Sequence, residues 1–577
     1  MTEKRWQQKP LPKSTEELQI VQQIEQELSI ERSLATLLWQ RGIADYDSAK
    51  NFFRPKLEDL HDPFLMKDMQ KAVERLELAI RSNEKIMIFG DYDVDGTTAV
   101  ALVYGFLSTF YENLEYYNPD RYKEGYGVSD KGIEWASEQS VTLIIALDCG
   151  IKSVDKVAWA KEKFGIEFII CDHHEPGETL PPAVAVLDPK RKDCTYPFKE
   201  LTGNGVGFKL LTAYCLRNNI PLESLFEYLD LAVISIGSDI VPIVGENRIL
   251  AYYGMKKLNA TPRIGIQVLK EIAGFTTEMN IQNVVFVIGP RINAAGRIKH
   301  AKAAVQLLLS KDYNEATAFA QEIHDNNAER KTHDSRITEQ AVAMIEADRW
   351  MLNEAKSTVL FQKDWHKGVV GIVASRCIER YYRPTIILTE SKGVAAGSAR
   401  SVAGFDLYAA VEACSEHLEQ FGGHTHAAGM TLPLENVVPF KRAFDSYVRQ
   451  HITEEQLVPK IEVDLEVNLS DITAKFYRIM QQMSPFGPQN MQPVFMTKGL
   501  SLAAKPRILK EKHFKLELLE EETGMTLTAL GFGMTEQFYK PLLQHKYFDA
   551  TYTIETNTFR GNTSLQLFLK DIKFSEE

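Results

Sequence analysis

Four short apolar runs in the first half of this chain each stop at a cluster of acids or imidazoles, and that punctuation restricts the possible folds more than any other feature. Ile86-Met-Ile-Phe89 leads to Asp91-Tyr-Asp-Val-Asp-Gly96, and Val141 to Leu147 leads to Asp148-Cys-Gly150. Phe168 to Cys171 leads to Asp172-His-His174, and Leu231 to Ile236 leads to Ser238-Asp239. Each run has the length and composition of a buried strand. Helical patterns such as Thr97 to Phe110 and Ser153 to Lys163 lie between them, so the alternation predicts βαβ units and a mostly parallel sheet. In an open α/β sheet, ligands bind outside the carboxyl ends of the strands, which is where the acids fall. Carboxylate oxygens with imidazole suit divalent cations such as Mn²⁺ and Mg²⁺.

The run Asp91-x-Asp-x-Asp-Gly96 also opens an EF-hand calcium loop, but that loop needs a bidentate Glu at its twelfth position, and Leu102 stands there. A strand-like run also precedes it, where an EF-hand has a helix. Cys149 and Cys171 adjoin the acids. Successive residues on a strand point to opposite faces, so these thiols are expected to pack instead of ligating a cation. None of the six cysteines forms a CxxC pair, which fits reduced thiols in a cytoplasmic protein. No stretch approaches membrane-spanning length, and the polar first residues lack the apolar core of a signal peptide.

With 577 residues the chain is too long for one domain. Residues 1–70 read as an N-terminal helical segment, 71–310 as the acid-bearing α/β domain and 311–352 as a connecting helix. Residues 353–457 read as a smaller, glycine-punctuated α/β domain and 458–577 as a small β-barrel. A net charge of −12 argues against coating nucleic acid by bulk electrostatics. Two stretches nevertheless lack acids: Met279 to Lys311, with Arg291, Arg297, Lys299, Lys302 and Lys311, and Ser391 to Phe405, with Lys392 and Arg400. A phosphate channel can therefore be local.

The four clusters, in this order, resemble the motifs of the DHH phosphoesterase superfamily. Further segments resemble its RecJ family of single-strand-specific exonucleases. They are Arg121-Tyr-Lys-Glu-Gly-Tyr-Gly127, Gly289-Pro-Arg-Ile-Asn-Ala-Ala-Gly-Arg297, Gly368 to Arg376, Gly397-Ser-Ala-Arg-Ser-Val-Ala-Gly-Phe-Asp406 and Gly422-Gly-His-Thr-His-Ala-Ala-Gly429. Asn557-Thr-Phe-Arg-Gly561 with Gln566, Leu567 and Asp571 is similar to that family's OB-fold. The resemblance covers nearly the whole chain. It implies a DHH-type parallel-sheet domain, a linker helix, a DHHA1-type domain and a C-terminal OB-fold.

It also implies a two-metal 5′-to-3′ exonuclease that releases mononucleotides from single-stranded DNA in repair and recombination. Asp93, Asp95, Asp148, His173 and Asp239 match the ligand positions for two divalent cations, Mn²⁺ or Mg²⁺, with Asp148 between them. Asp91 is expected as a further ligand, Asp172 as a partner behind the ligands and His174 as a phosphate contact. Phe89 stands where many superfamily members carry His, and Ser235-Ile-Gly-Ser238 replaces a usual Gly-Thr run. Phosphate or DNA contacts are expected from Arg121, Tyr126, Arg291, Asn293, Arg297, Arg376, Ser398, Arg400, Gly423, His424 and His426, with Arg507 and Phe559 on the barrel. The family further implies a monomer working with single-strand-binding protein and a helicase. Two alternatives remain open. One is a phosphoesterase for short oligonucleotides or cyclic dinucleotides, which needs no barrel; the other is a non-catalytic single-strand-binding scaffold, which needs no acids.

Overall fold

The computed structural model describes residues 4–298 and 301–574, with Lys299 and the side chain of Phe559 outside the described set. The chain divides into two compact units, residues 50–330 with 483–491, and the remainder.

The first unit, which bears the acids, is built on five parallel strands in the order Leu114–Tyr117, Lys85–Gly90, Val141–Leu147, Glu167–Cys171, Ala185–Leu187. The three central strands are apolar beyond their first one or two residues because both faces are covered. Ile86, Ile88, Leu143, Ile145 and Ile169 enter one core with the helices Val94–Leu107 and Gly203–Asn218. Met87, Phe89, Ile144, Ala146 and Phe168 enter another with the helices Asp130–Glu138 and Val154–Phe164. The period of two along each strand sorts these residues between the faces. The first strand, Lys85–Gly90, has the second on one side and the third on the other, so chain order reverses between Lys85–Gly90 and Val141–Leu147. That switch point opens a crevice at the carboxyl ends, just where Asp91 to Asp95 and Asp148 follow.

The expectation of a strand over Leu231 to Ile236 is corrected: Leu229–Asp239 is a helix, buried from Leu229 to Gly237. A segment enclosed on every side has no polar face, so its apolar run carries no period, and its β-branched residues favoured the wrong reading. A Cβ on Gly203 would stand 2.5 Å from the Asp148 Cβ, so only glycine lets the helix Gly203–Asn218 start against that acid.

The second unit contains a mixed five-stranded sheet, ordered Gln420–His424, Ala427–Leu432, Val394–Arg400, Thr385–Ser391, Thr358–Phe361. It also holds a seven-stranded sheet running from Leu465–Glu466 to Arg507–Leu509, in which Phe495–Leu502 pairs additionally with His513–Glu520. That extra pairing closes the sheet on itself, the device of a small barrel. The N-terminal segment contains the helices Thr15–Leu28, Arg32–Trp39 and Tyr46–Phe53, preceded by a strand Arg5–Gln8 that the sequence did not announce. This strand pairs in parallel with Lys460–Val463, and Trp6 donates its indole N–H to Asp571 at 2.8 Å.

The long helix Tyr313–Ala347 contributes Ala316, Ala320 and Ile323 to the core of the first unit. It contributes Ile337, Ala341 and Ile345 to a core of the second. Among the described residues no helix is long and apolar enough to cross a membrane.

One buried ion pair ties helices of the first unit together. Lys209 Nζ lies 2.5 Å from Glu246 Oε1, with both side chains almost fully buried, and Tyr196 and the His61 N–H donate to the same carboxylate. Removing one partner strands the other charge. Glu246→Leu is therefore expected to destabilise the protein by about 3–5 kcal/mol, and Lys209→Met/Glu246→Leu by much less, in chemical denaturation.

Candidate metal centre

Asp91 follows the strand Lys85–Gly90 and is buried; Gly127 N–H donates to its carboxylate at 3.5 Å. Asn118 holds the backbone here, donating to the carbonyls of Gly90 at 3.0 Å and Asp91 at 2.8 Å. Asp93 is the N-cap of the helix Val94–Leu107, accepting the Gly96 N–H at 3.0 Å. Asp95, inside the first turn, is anchored by three donors: Gly203 N–H at 2.6 Å, Asn204 N–H at 2.9 Å and Ser235 Oγ at 2.7 Å. The helix start Gly203–Asn204 thereby aims its free N–H groups at a carboxylate.

Asp148 adopts a left-handed backbone, φ 59°, and Asp239 ends its helix. His173 brings these elements together. Its Nε2 is buried, lies 3.2 Å from Asp148 Oδ1, 3.6 Å from Asp239 Oδ2 and 3.7 Å from Asp95 Oδ2, and makes no hydrogen bond. Asp172 faces the other way. Its carboxylate accepts the N–H groups of Ile151 and His173 at 2.9 and 2.8 Å and meets His174 Nδ1 at 2.7 Å. The two rings lie 4.5 Å apart, so the expected divergence of adjacent histidines is only partial: His173 Nε2 looks into the acids, while His174 meets Asp172 and the Tyr126 hydroxyl.

The electrostatics follow from burial and crowding. Burial, and then the neighbouring acids, push the carboxyls of Asp148, Asp91 and Asp239 well above the usual range. Burial also opposes the charge on Asp172, but the His174 hydrogen bond and charge outweigh it and bring Asp172 to about 2. For His174, burial is outweighed by the same bond to Asp172, and the ring rises to about 9. His173 is lowered by burial.

Among the described residues, three sets each have ligand atoms within 4.8 Å of one another: Asp148 with His173 and His174; Asp95 with His173 and Asp239; and Asp91 with Asp93 and Asp148. Crowded, buried carboxylates around an imidazole nitrogen without a partner form a donor set that fits hard or borderline divalent cations. Asp148 is common to two of the sets.

Arg121 lies over the Tyr92 ring at 4.8 Å. The segment Gly289 to Arg297, whose Arg291, Asn293 and Arg297 are expected to contact phosphate, is the helix Gly289–Ile298 following a π-helical turn, Val284–Ile288. On a helix, six positions rotate by roughly 600°, so Arg291 and Arg297 leave on different faces. Arg291 is buried, donating to the Val287 carbonyl at 2.7 Å; Arg297 accepts the Tyr122 hydroxyl on its carbonyl at 2.6 Å; and Asn293 is half-buried.

In the second unit, Ser398 and Arg400 lie on a strand whose neighbour is paired to the strand of Gly423 and His424. The Arg400 guanidinium rests over Gly371, where a Cβ would stand 2.8 Å from Nη2. The His424 and His426 rings are 5.9 Å apart. Gly423 has φ 150°, and a Cβ there would lie 2.2 Å from the Ala427 carbonyl oxygen. Arg376 pairs with Asp334 at 3.7 Å and Glu379 at 3.5 Å. Arg507 is exposed on a barrel strand, and the Phe559 side chain lies outside the described residues.

Sequence reasoning missed Asp188, which ends the strand Ala185–Leu187 fully buried with Oδ2 unpartnered, and which burial above all raises to about 7. A fifth apolar run, Ala183 to Leu187, was its available signal. It also missed Asn118 and Asn204, whose neighbours gave no pattern. On the barrel it missed Phe532, 54% exposed, with the rings of His513 and Phe568 at 5.4 and 5.3 Å.

Mutual repulsion of the acids predicts a reversal of the usual mutant effect. Without divalent cations, Asp148→Asn is expected to raise the melting temperature by roughly 2–4 °C. With Mn²⁺ added, thermal denaturation should show the wild type gaining more stability than the variant.

Family models match the chain in order: DHH family, N-terminal domain over residues 85–236; DHHA1 domain over 354–450; and RecJ OB domain over 463–571. The single-stranded-DNA-specific exonuclease RecJ of Bacillus subtilis (strain 168) is 38% identical over 96% of this chain and 70% of its own length. That of Haemophilus influenzae is 33% identical over 90% of this chain and 93% of its own length. The crystal structure of RecJ in complex with Mn²⁺ from Thermus thermophilus matches with a TM-score of 0.84 and 27% identity, covering 99% of this chain and 80% of that one. A Mg²⁺ complex from the same organism matches at 0.79 and 27% identity, over 99% of this chain and 79% of that one. With its three domains in this order and relatives of this similarity, the chain belongs to the RecJ family.

Proposed function

We propose that this protein is a metal-dependent exonuclease that hydrolyses single-stranded DNA from its 5′ end to mononucleotides, with two divalent cations, Mn²⁺ or Mg²⁺, held by its acid cluster. What most supports the reading is His173 Nε2, buried without a hydrogen bond and facing three carboxylates at 3.2–3.7 Å. Asp95, His173 and Asp239 make one ligand set and Asp91 and Asp93 another, with Asp148 between them. When bound, such cations activate a water and neutralise charge on the phosphoryl oxygens.

The chain's own residues prepare that chemistry. Gly203, Asn204 and Ser235 fix Asp95, and Asp93 is fixed by its own helix. Asp172 holds His174 in the protonated form, which suits donation to a phosphate oxygen. Tyr126, donating to the Asp148 carbonyl at 3.2 Å, also meets the His174 ring, 3.0 Å from Nδ1.

In the second unit, Ser398, Arg400, Gly423, His424 and His426 have the chemistry to take a terminal phosphate, and Arg376 the charge to follow the backbone. Arg507, Phe559 and the Phe532 cluster suit a single strand whose bases stack while its phosphates meet cations. Arg121, Arg291, Asn293 and Arg297 suit phosphates in the first unit, although Arg291 must turn out of its buried bond to do so. A DNA-processing role suits a cytoplasmic protein, and a monomer acting with single-strand-binding protein and a helicase extends the family's pattern. A small-substrate phosphoesterase would have no use for the barrel, and a scaffold would not retain the acids.

Digestion of 5′-labelled and 3′-labelled single strands, with duplex as control, tests the reading. Early release of labelled mononucleotide from the 5′-labelled strand alone is expected. Asp148→Ala should lower the rate by at least about a hundredfold, and unchanged activity in that variant would contradict the assignment.

A further inference from the structure

Residues 483–491 belong by their contacts to the first unit, although the chain on both sides of them belongs to the second. The segment is a closed loop. Gly487 and Asn490 exchange backbone hydrogen bonds at 3.0 and 2.8 Å, and the buried Asn490 amide donates to the carbonyls of Met483 and Pro485. Arg248, itself buried, fastens one side: its guanidinium donates to the carbonyls of Met483 at 2.9 Å, Ser484 at 3.1 Å and Phe52 at 2.8 Å, and lies 3.8 Å from the Phe52 ring centroid.

The other side meets the turn that follows Asp239. The Ile243 N–H donates to the Pro488 carbonyl at 2.9 Å. A Cβ on Gly487 would stand 2.4 Å from Ile243 Cδ1 and 2.9 Å from Cγ1. Asn247 donates to the Pro242 carbonyl of the same turn at 3.0 Å. This turn does not hold its shape alone. Ile240, directly after Asp239, has φ 60°, a region that β-branched residues avoid, and its apolar side chain is 67% exposed. Strain of this kind persists only where the surroundings impose it.

We propose that residues 483–491 are a brace that positions Asp239 for cation binding, with Gly487 and Arg248 as its positioning residues. The inference rests on the reading of Asp239 as a cation ligand. Gly487 has no left-handed backbone, so Gly487→Ala adds a clash with Ile243 and little else. Mn²⁺ affinity is measured by calorimetry on the full-length protein, beside kcat and KM on single-stranded DNA.

Gly487→Ala is expected to weaken Mn²⁺ binding roughly tenfold and lower kcat, with KM for DNA unchanged. Adding Ile243→Ala to that variant makes room for the methyl and should restore Mn²⁺ affinity; failure to restore it overturns the brace. Asp239→Asn separates the two claims. If it leaves Mn²⁺ binding intact, the reading of the centre fails. If it weakens binding while Gly487→Ala does not, the brace alone is overturned. Should Gly487→Ala fail to fold, Arg248→Lys keeps the charge but loses the fork; wild-type Mn²⁺ affinity there overturns the brace equally.

Discussion

Carboxylates forced together out of water repel one another, and the first unit is organised around that repulsion. Charges at close range in a poorly solvated site interact far more strongly than in bulk water. A fold can keep such a cluster only by supplying donors, relinquishing charge or admitting cations. The first two devices are present, and the acid cluster fits the third. Three donors anchor Asp95, while Asp91, Asp148 and Asp239 are driven toward their neutral forms by burial and by one another. His173 Nε2 stands amid the carboxylates without a hydrogen bond. Divalent cations resolve these tensions together.

The rest of the unit positions the cluster. Reversal of strand order between Lys85–Gly90 and Val141–Leu147 opens a crevice at the sheet's carboxyl edge. Helix ends then complete it: Asp93 caps one helix, Gly203 and Asn204 begin another, and Asp239 closes a third. Carboxylates from separate elements thus converge without any long loop. The brace at residues 483–491 extends this logic, because Asp239 ends a helix whose following turn is strained and held from outside.

Much of this was legible in the sequence because strands announce themselves by where they stop. Asp91 to Asp95, Asp148 and Asp172 to His174 each follow an apolar run that is a strand. Asp239 was found by the same rule for the wrong reason, since its run is a helix enclosed on all sides and therefore without a period. The Gly289 to Arg297 stretch, quoted for its residues alone, is a helix that continues directly from the π-helical turn Val284–Ile288. Asp188 escaped although the apolar run Ala183 to Leu187 announced it, whereas Asn118, Asn204 and the Gly487 brace escaped because their importance is tertiary. Each matters through a partner far away in sequence, and no local pattern records that. The strand Arg5–Gln8 escaped for the same reason, being defined by its pairing with Lys460–Val463.

The second unit carries features of a different kind: a guanidinium over glycine at Arg400, two exposed histidines, and a closed barrel bearing an aromatic cluster at Phe532. These suit a phosphate chain with stacking bases and reconcile an acidic chain with a nucleic-acid substrate, because attraction is confined to particular strands and loops. Whether the acids hold two cations is read from one equilibrium count. Free Mn²⁺ gives an electron paramagnetic resonance signal that is lost on binding, so titration reports the number of ions held per chain. Two tightly held ions are expected in the wild type and fewer in Asp148→Asn. Wild-type protein that holds none, or an Asp148→Asn variant that still holds both, would contradict that expectation.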